Sequence, residues 1–364
     1  MNVRTLELNY FRNYLSQKVE FSPGVNVISG DNAQGKTNLL EAVYFSSLGK
    51  SMRTPRDKEL IGWGHERGRI KVAVNKRVGE KIVEIVLDSA VNKRVAINGM
   101  PITRIGELMG VITTVLFSPD EIEIIKDTPQ KRRRFIDIAL CQLSKSYFYC
   151  LSDYNKILAQ RNKLLKKNAP LSAIEAWDLQ LVKKCALIVK NRREFVKRLE
   201  KFAAENHSFL SDGKETLSLS YEGTSGGTTE EIAAAFADKL KENREIDYRH
   251  GYTHAGAQTD DLAVTLDGVD VRKFGSQGQQ RCSALSLKLA EMDLYREEQG
   301  EYPVLLLDDV FSELDKTRSR RLAERISGYQ TIITCTHLTD EIKDALGDYK
   351  EFVVSGGKVT QNKK

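Results

Sequence analysis

Residues Gly30-Asp31-Asn32-Ala33-Gln34-Gly35-Lys36-Thr37 are the stretch whose types and spacing most directly imply chemistry. They fit G-x-x-x-x-G-K-[ST], a loop whose successive backbone N–H groups cradle phosphate oxygens at a helix N-terminus. In that pattern Lys36 reaches the β- and γ-phosphates of a nucleotide, and the Thr37 hydroxyl ligates Mg²⁺. Far along the chain, the apolar run Tyr302 to Leu307 ends in Asp308-Asp309. A strand that delivers two carboxylates suits Asp308 to hold Mg²⁺ and Asp309 to orient or deprotonate an attacking water. Ser276-Gln277-Gly278-Gln279-Gln280-Arg281 precedes an apolar stretch from Cys282 to Tyr295. A serine and a glycine at a helix start make a second anion-binding corner, with Ser276, Gly278 and Gln279 as its contacts. His337 follows a β-branched run, Thr331 to Cys335.

These groups need elements to bring them together. Gly24 to Ser29 alternates as a strand before the phosphate loop, and Asn38 to Ser46 reads as the helix after it. Residues 3–12 and Lys18 to Phe21 also read as strands. Arg69 to Asn75 and Lys81 to Asp88 flank a Val78-Gly79 turn, and Arg94 to Ile97 runs into Asn98-Gly99, a hairpin-turn dipeptide. They predict an antiparallel β patch after the first β-α unit, followed by a buried strand from Val111 to Phe117. The continuous apolarity before Asp308 is that of a strand covered on both faces. Ligands of open α/β sheets sit at the carboxyl ends of such strands.

From Glu121 to Ser211 strand signals vanish. Tyr147, Leu151, Tyr154, Leu158 and Leu165 form one apolar stripe at helical spacing. A second runs from Ile174 through Trp177, Leu181, Cys185, Ile188, Phe195 and Leu199 to Phe202. Pro170 separates them, so an antiparallel helical arm is predicted, each helix burying its stripe on the other. The domains are then a body of residues 1–120 plus 212–364 and an inserted arm of 121–211. Strand Leu217 to Tyr221, a Gly/Thr/Ser linker, a helix from Glu230 to Glu242 and strand Asp260 to Leu266 return the chain to the body. The tail 361–364 is expected to fray.

Charge divides along the same line. Between Ile122 and Ser211 there are 19 Lys or Arg against 9 Asp or Glu, whereas the remainder holds 37 against 41. The whole net charge of +6 therefore comes from the arm, which points to a polyanionic partner. Without a zinc-finger, helix-turn-helix or RNP pattern, contact to phosphates is expected in place of base reading. The candidates are Lys131, Arg132, Arg133, Arg134, Lys166 and Lys167, with further arm cations such as Arg161, Arg192, Arg193 and Arg198, and Arg53 on the body. Five scattered cysteines without a C-x-x-C pair read as reduced thiols of a cytoplasmic protein. No apolar run approaches the ~20 residues of a membrane helix, and no signal-peptide core stands at the N-terminus.

The order of motifs resembles that of ABC-type ATPase heads: phosphate loop, helical insertion, S-x-G-Q at a helix start, acidic strand, then Asp315 and His337. The resemblance implies an α/β fold, an ABC-type P-loop ATPase head with an antiparallel β patch and an inserted helical arm. It also implies that the Ser276 corner serves the nucleotide of a partner subunit, that Ser312 to Asp315 lies at the dimer seam, and that His337 contacts the γ-phosphate. More narrowly, the chain resembles the RecF family, bacterial DNA replication and gap-repair ATPases related to the SMC proteins. The residues carrying that likeness are Phe11-Arg12-Asn13-Tyr14, GDNAQGKTNLLEAVY, Ser51-x-Arg53, Ser118-Pro119-Asp120 with Arg132-Arg133 and Phe135-Ile136-Asp137, SQGQQR and LLLDDVFSELD. Arg12 joins the nucleotide contacts on this ground.

The family resemblance implies an ATP-dependent homodimer that clamps DNA at gap junctions and releases it on slow, DNA-stimulated hydrolysis. It further implies help in recombinase loading and SOS induction, with RecR and RecO as partners. The chain departs from the family at Gly256-Ala257-Gln258-Thr259-Asp260-Asp261, where Gly-Pro-His-Arg-Asp-Asp is usual. Two other readings share the nucleotide motifs: a head of a structural SMC-like or defence system acting through a partner, and the nucleotide-binding subunit of a transporter. The basic arm fits a transporter poorly.

Overall fold

A computed structural model of the chain describes residues 1–362. Strands β1 (Asn2–Phe11), β2 (Tyr14–Glu20) and β3 (Val25–Ser29) lead into helix α1 (Lys36–Leu48). Then come β4 (Arg67–Lys76), β5 (Gly79–Asp88), β6 (Arg94–Ile97), β7 (Met100–Pro101) and β8 (Thr114–Phe117). Helices α2 (Glu123–Lys126), α3 (Pro129–Leu143), α4 (Lys145–Lys166) and α5 (Leu171–Ser211) follow without an intervening strand. The return comprises β9 (Leu217–Glu222), α6 (Thr229–Glu242), α7 (Arg244–His250), β10 (Asp261–Leu266), β11 (Val269–Asp270), α8 (Val271–Phe274) and α9 (Gln277–Gln299). The chain closes through β12 (Val304–Asp308), α10 (Lys316–Ile326), β13 (Thr331–Cys335), α11 (Asp340–Leu346), β14 (Tyr349–Ser355) and β15 (Lys358–Asn362).

Two six-stranded sheets hold the body. One is antiparallel, in the order β2-β1-β4-β5-β6-β7; the other runs β15-β14-β3-β13-β12-β8. The β patch therefore includes the N-terminal hairpin, because β1 pairs with both β2 and β4. In the second sheet β14, β3, β13, β12 and β8 are parallel, and β15 adds an antiparallel edge. Its inner strands β3, β13 and β12, with β8 beside them, are buried on both faces, and Val304 to Leu307, the run that predicts this, are all buried. Helix α1 lies between the sheets, touching β4 and β5 on one side and β8, β12 and β13 on the other. That position explains why Leu39, Leu40, Val43 and Phe45 are all buried although they do not share one stripe.

The Asn98-Gly99 turn has positive φ at both residues (51° and 79°), as a tight hairpin requires. The expected strand at 111–117 pairs only from Thr114, because Val111 to Thr113 are spent in the turn before it. Helices α4 and α5 form the expected hairpin, with its bend between Lys166 and Leu171. Helices α6 and α7 pack on α5 and α4, so the helical layer also takes in residues 229–250. The far half of α5 packs along α9. Gln361 and Asn362 belong to β15 and do not fray, since Phe352 and Glu351 pair with them; residues 363–364 lie outside the described residues. All five cysteines are free, and burial pushes the Cys335 thiol up to about 12, so it is an inert thiol at pH 7.

Candidate nucleotide site

The parallel register brings the predicted groups to one edge. Ser29 pairs with Cys335, and Asp308 with Thr334, so the carboxyl ends of β3, β13 and β12 emerge side by side. Between β3 and α1 the loop Gly30 to Gly35 turns back on itself. Gly35 caps α1 with φ 116°, and a side chain there would run into Asn13. Asn13 Nδ2 donates to the Gln34 carbonyl at 2.8 Å, and Tyr14 Oη donates to the Gly35 carbonyl at 2.9 Å. The β1–β2 turn thus braces the loop. Lys36 is buried, and its Nζ donates to the carbonyl of Asp31 at 2.8 Å and to that of Gly30. The ammonium is curled into the loop, where phosphate oxygens would meet it.

Thr37 Oγ1 donates to Asp308 Oδ1 at 2.8 Å, and Thr334 Oγ1 donates to the same oxygen at 2.6 Å. A hydroxyl and a carboxylate oxygen side by side at the edge of a phosphate loop are donors that suit a small hard cation such as Mg²⁺. Asp309 takes a left-handed turn (φ 52°), fixed by its N–H, which bonds the Thr334 carbonyl and Oγ1, both at 3.1 Å. A non-glycine residue there is strained, and such strain concentrates where a side chain must be aimed. A cavity of about 500 Å³ is lined by Arg12, Asn32, Ala33, Gly35, Lys36, Thr37, Arg53, Asp308 and Asp309, with Trp63 at its rim. Trp63 is 95% exposed. Sequence reading missed Trp63; an exposed tryptophan follows no periodic pattern.

Arg12 does not reach freely into this cavity. Its Nε and Nη2 donate to the two carboxylate oxygens of Glu41 at 2.8 and 2.9 Å, and Nη1 donates to the Glu59 carbonyl at 3.0 Å. Glu41 is fully buried on α1 and also accepts from Ser51 Oγ at 2.5 Å. Ser51 Oγ in turn accepts from the N–H groups of Arg53 and Thr54. Arg12, Glu41 and the Ser51-x-Arg53 turn therefore form one network beside the loop.

Ser276, Gly278, Gln279 and His337 are not among the residues lining the cavity. Ser276 caps α9: its Oγ accepts from the Gln279 N–H at 3.2 Å, and its own N–H donates to Gln279 Oε1 at 2.7 Å. Ser276 and Gln277 are exposed at the start of that 23-residue helix. His337 is exposed in the loop after β13. Within one subunit the phosphate loop and the Ser276 corner are thus separate surfaces. They are nevertheless tied together: Arg281 of α9 pairs with the Glu313 carboxylate and donates to its carbonyl at 3.0 Å, on the turn that follows Asp309.

The arm cations need correction. Arg132 is 3% exposed and donates through Nε and Nη2 to both oxygens of Asp261 at 2.6 and 2.8 Å, so it is an internal strut and no DNA contact. Arg133 is half-buried and donates to the Asp260 carbonyl at 2.6 Å. Arg161 is fully buried between Asp178 and Asp247, and Arg192 is buried against Asp137. Arg193 bonds the carbonyls of Thr224 and Gly226, and Arg198 pairs with Glu297 and Glu298. Arg53 lines the nucleotide cavity and donates to Asn38 Oδ1 at 3.1 Å, which places it in that site. Lys131 is exposed but paired with Glu123. Arg134, Lys166 and Lys167 remain exposed with no ion pair among the described residues.

The loop at Gly256 to Asp261 has a structural role. Tyr154 Oη bonds Gln258 Oε1, Arg192 Nη1 donates to the Ala257 carbonyl at 2.6 Å, and Tyr221 Oη bonds Asp260. Together with Arg132 and Arg133 these contacts fasten α3, α4 and α5 to β10 and β9. Gln258 makes the contact to the arm.

Mixed sheet, loop and helix, and the carboxylate pair define an ABC-type ATPase head of the SMC kind. The model of the RecF/RecN/SMC N-terminal domain family matches residues 2–355. A DNA replication and repair protein RecF of Clostridium kluyveri is 42% identical, with 99% of this chain and all of the relative covered. A namesake from Agathobacter rectalis is 44% identical over 99% of each. A solved recombination mediator protein RecF with ATPrS superposes with a TM-score of 0.92 at 34% identity, covering 100% of this chain and 98% of its own. An SMC head bound to the C-terminal winged-helix domain of ScpA, 17% identical with a TM-score of 0.60, shares the fold. The chain belongs to the RecF family.

Proposed function

We propose that this chain is an ATP-dependent DNA-binding protein of replication and recombinational gap repair, in which ATP drives dimerisation around DNA and slow hydrolysis releases it. The observation that carries the nucleotide half is the 2.8 Å approach of Thr37 Oγ1 to Asp308 Oδ1 beside the curled Lys36. Lys36 and the loop N–H groups bind and orient the β- and γ-phosphates. Thr37 and Asp308 are the residues that would hold Mg²⁺, which would supply charge neutralisation at the phosphate oxygens. Asp309 holds the attacking water in line and accepts its proton.

The separation of Ser276 from the loop supports a second subunit. An exposed serine cap, Gly278 and the N–H groups of a long helix form an anion corner that lies outside the cavity of its own subunit's phosphate loop. Two copies facing each other in C₂ symmetry supply each nucleotide with one Lys36 face and one Ser276 face. His337 completes the γ-phosphate contacts in that arrangement. ATP binding and dimerisation are then linked by mass action.

DNA lies across the dimer, contacted through phosphates by Arg134, Lys166 and Lys167. The protein acts in the cytoplasm with RecO and RecR, assists recombinase loading at single-strand gaps and so contributes to SOS induction; its ATPase is weak and stimulated by DNA. Sedimentation with ATP and Mg²⁺ on gapped, single-stranded and duplex DNA tests this. The expected result is a dimer with ATP only, retained on DNA and dissociating as ATP is consumed. One mass in every nucleotide state, or indifference to all three DNAs, overturns it.

A further inference from the structure

The far end of the arm carries a cluster that the nucleotide mechanism leaves unused. Helix α7 packs on α4, and Tyr248 Oη donates to the Ala169 carbonyl at 2.8 Å in the bend between α4 and α5. Gly251 follows with φ 71°, so close to Lys166 that a Cβ would lie 2.9 Å from Lys166 Cγ. Residues 248–254 therefore cover the end of the hairpin. Three rings gather on them. The centroids of Tyr252 and His254 are 4.1 Å apart at 32°, those of His250 and Tyr252 5.8 Å apart at 29°, and those of His250 and His254 4.9 Å apart. Tyr252 keeps 48% of its surface in solvent.

A buried polar network holds these rings in place. His254 Nδ1 lies 2.8 Å from Asp247 Oδ1, and the His254 N–H donates to that oxygen at 3.0 Å. Arg161 Nη1 donates to Asp247 Oδ2 at 2.7 Å and to Thr253 Oγ1 at 2.8 Å, and both Arg161 and Asp247 are completely buried. The mount is rigid, so a ligand would not have to order it. Around it, Lys163, Lys166, Lys167 and Arg249 are exposed, and none forms an ion pair among the described residues. Lys163 and Lys166 share a face of α4 by their spacing, and Lys167 follows as its C-cap.

We propose that this arm end is a stacking platform for single-stranded nucleic acid, with an unpaired base laid against Tyr252 and its neighbouring phosphates on Lys163, Lys166, Lys167 and Arg249. The proposal rests on the DNA-binding reading above and gives it a place and a strand preference. Aromatic rings amid unpaired cations suit an exposed base face, which duplex DNA does not offer along its length. An acidic peptide would satisfy the cations and leave the rings without a role.

The test is fluorescence anisotropy with labelled oligo-dT and a duplex of equal length, using the full chain with Mg²⁺ and ATPγS. Loss of one stacked base is about tenfold in affinity. Tyr252→Ala should therefore lower the ratio of oligo-dT to duplex affinity about tenfold, and Tyr252→Phe should retain it. Lys166→Ala and Lys167→Ala should each reduce the log–log salt slope on oligo-dT by about 0.7. An unchanged ratio in Tyr252→Ala overturns the platform, as does binding of a poly-glutamate peptide in competition with oligo-dT that Tyr252→Ala does not alter. Should Tyr252→Ala fail to fold, photocrosslinking of wild-type protein to bromodeoxyuridine oligonucleotides decides: crosslinks in residues 248–254 support the platform, and crosslinks confined elsewhere overturn it. Failure of the wild-type chain to bind duplex and oligo-dT alike overturns the DNA reading itself, which separates the two failures.

Discussion

Lys36, Asp308 and Asp309 line one cavity, and the separate tasks proposed for them should be separable by substitution. Removing the Lys36 ammonium deletes a charge-assisted contact to phosphate, so Lys36→Ala should weaken ATP binding about 100-fold or more, read by titration with a fluorescent ATP analogue. Asp309→Asn preserves shape and hydrogen bonding while removing the base. It should bind ATP normally, hydrolyse it about 10²–10⁴-fold more slowly, and accumulate as the ATP-bound dimer in sedimentation. These roles were legible because the phosphate loop and the acidic strand end are local patterns. Arg12 was visible only by likeness; its bidentate hold on Glu41, 29 positions away, is a tertiary fact that no spacing rule encodes. The same blindness explains Arg132 and Arg161. A run of cations looks solvent-facing in sequence, because the carboxylates that bury it, Asp261 and Asp247, lie far along the chain.

At the level of elements, the stripes of α4 and α5 and the both-faces-buried strand β12 were readable from periodicity, whereas α7 was not. Arg244 to His250 is short and polar, and it is helical because Arg161 holds its Asp247 and α4 supports it. That dependence is testable. Arg161→Met leaves Asp247 and Asp178 without their cation in a buried setting and should destabilise the protein by about 3 kcal/mol, measured from urea midpoints. The packing of α5 on α9 contains a second titratable group. His207 lies between Ser286 Oγ at 3.1 Å and Glu215 Oε2 at 3.2 Å, and burial lowers its pKa below the ordinary value of 6.5. The folded protein thus takes up this proton less readily than the unfolded chain. Its contribution is complete above about pH 6.5 and shrinks as pH falls toward the depressed native value. Melting temperature should decline across that window, and His207→Asn should flatten the decline.

On the scale of the whole molecule, the proposed dimer predicts complementation between two dead proteins. Lys36→Ala spoils the loop face and Ser276→Arg the corner face, so each alone should lack ATPase. Their mixture re-forms one intact composite site and should recover up to about a quarter of wild-type activity if subunits pair at random and each site works independently. No recovery in a mixture shown to contain heterodimer would sink the shared site. The tie between Arg281 and Glu313 carries a further consequence for such a pair. In the proposed pair each subunit would place its Asp309 in one site and, through that tie, would steer the helix whose first turn closes the other. The two reaction centres of that pair would then be geared: a shift of the turn after Asp309 when one phosphate leaves would be felt as a displaced Ser276 across the seam. The pair would release its cargo in a single concerted opening, and Arg281→Ala should uncouple the halves, seen as a fall of the Hill coefficient for ATP hydrolysis toward one.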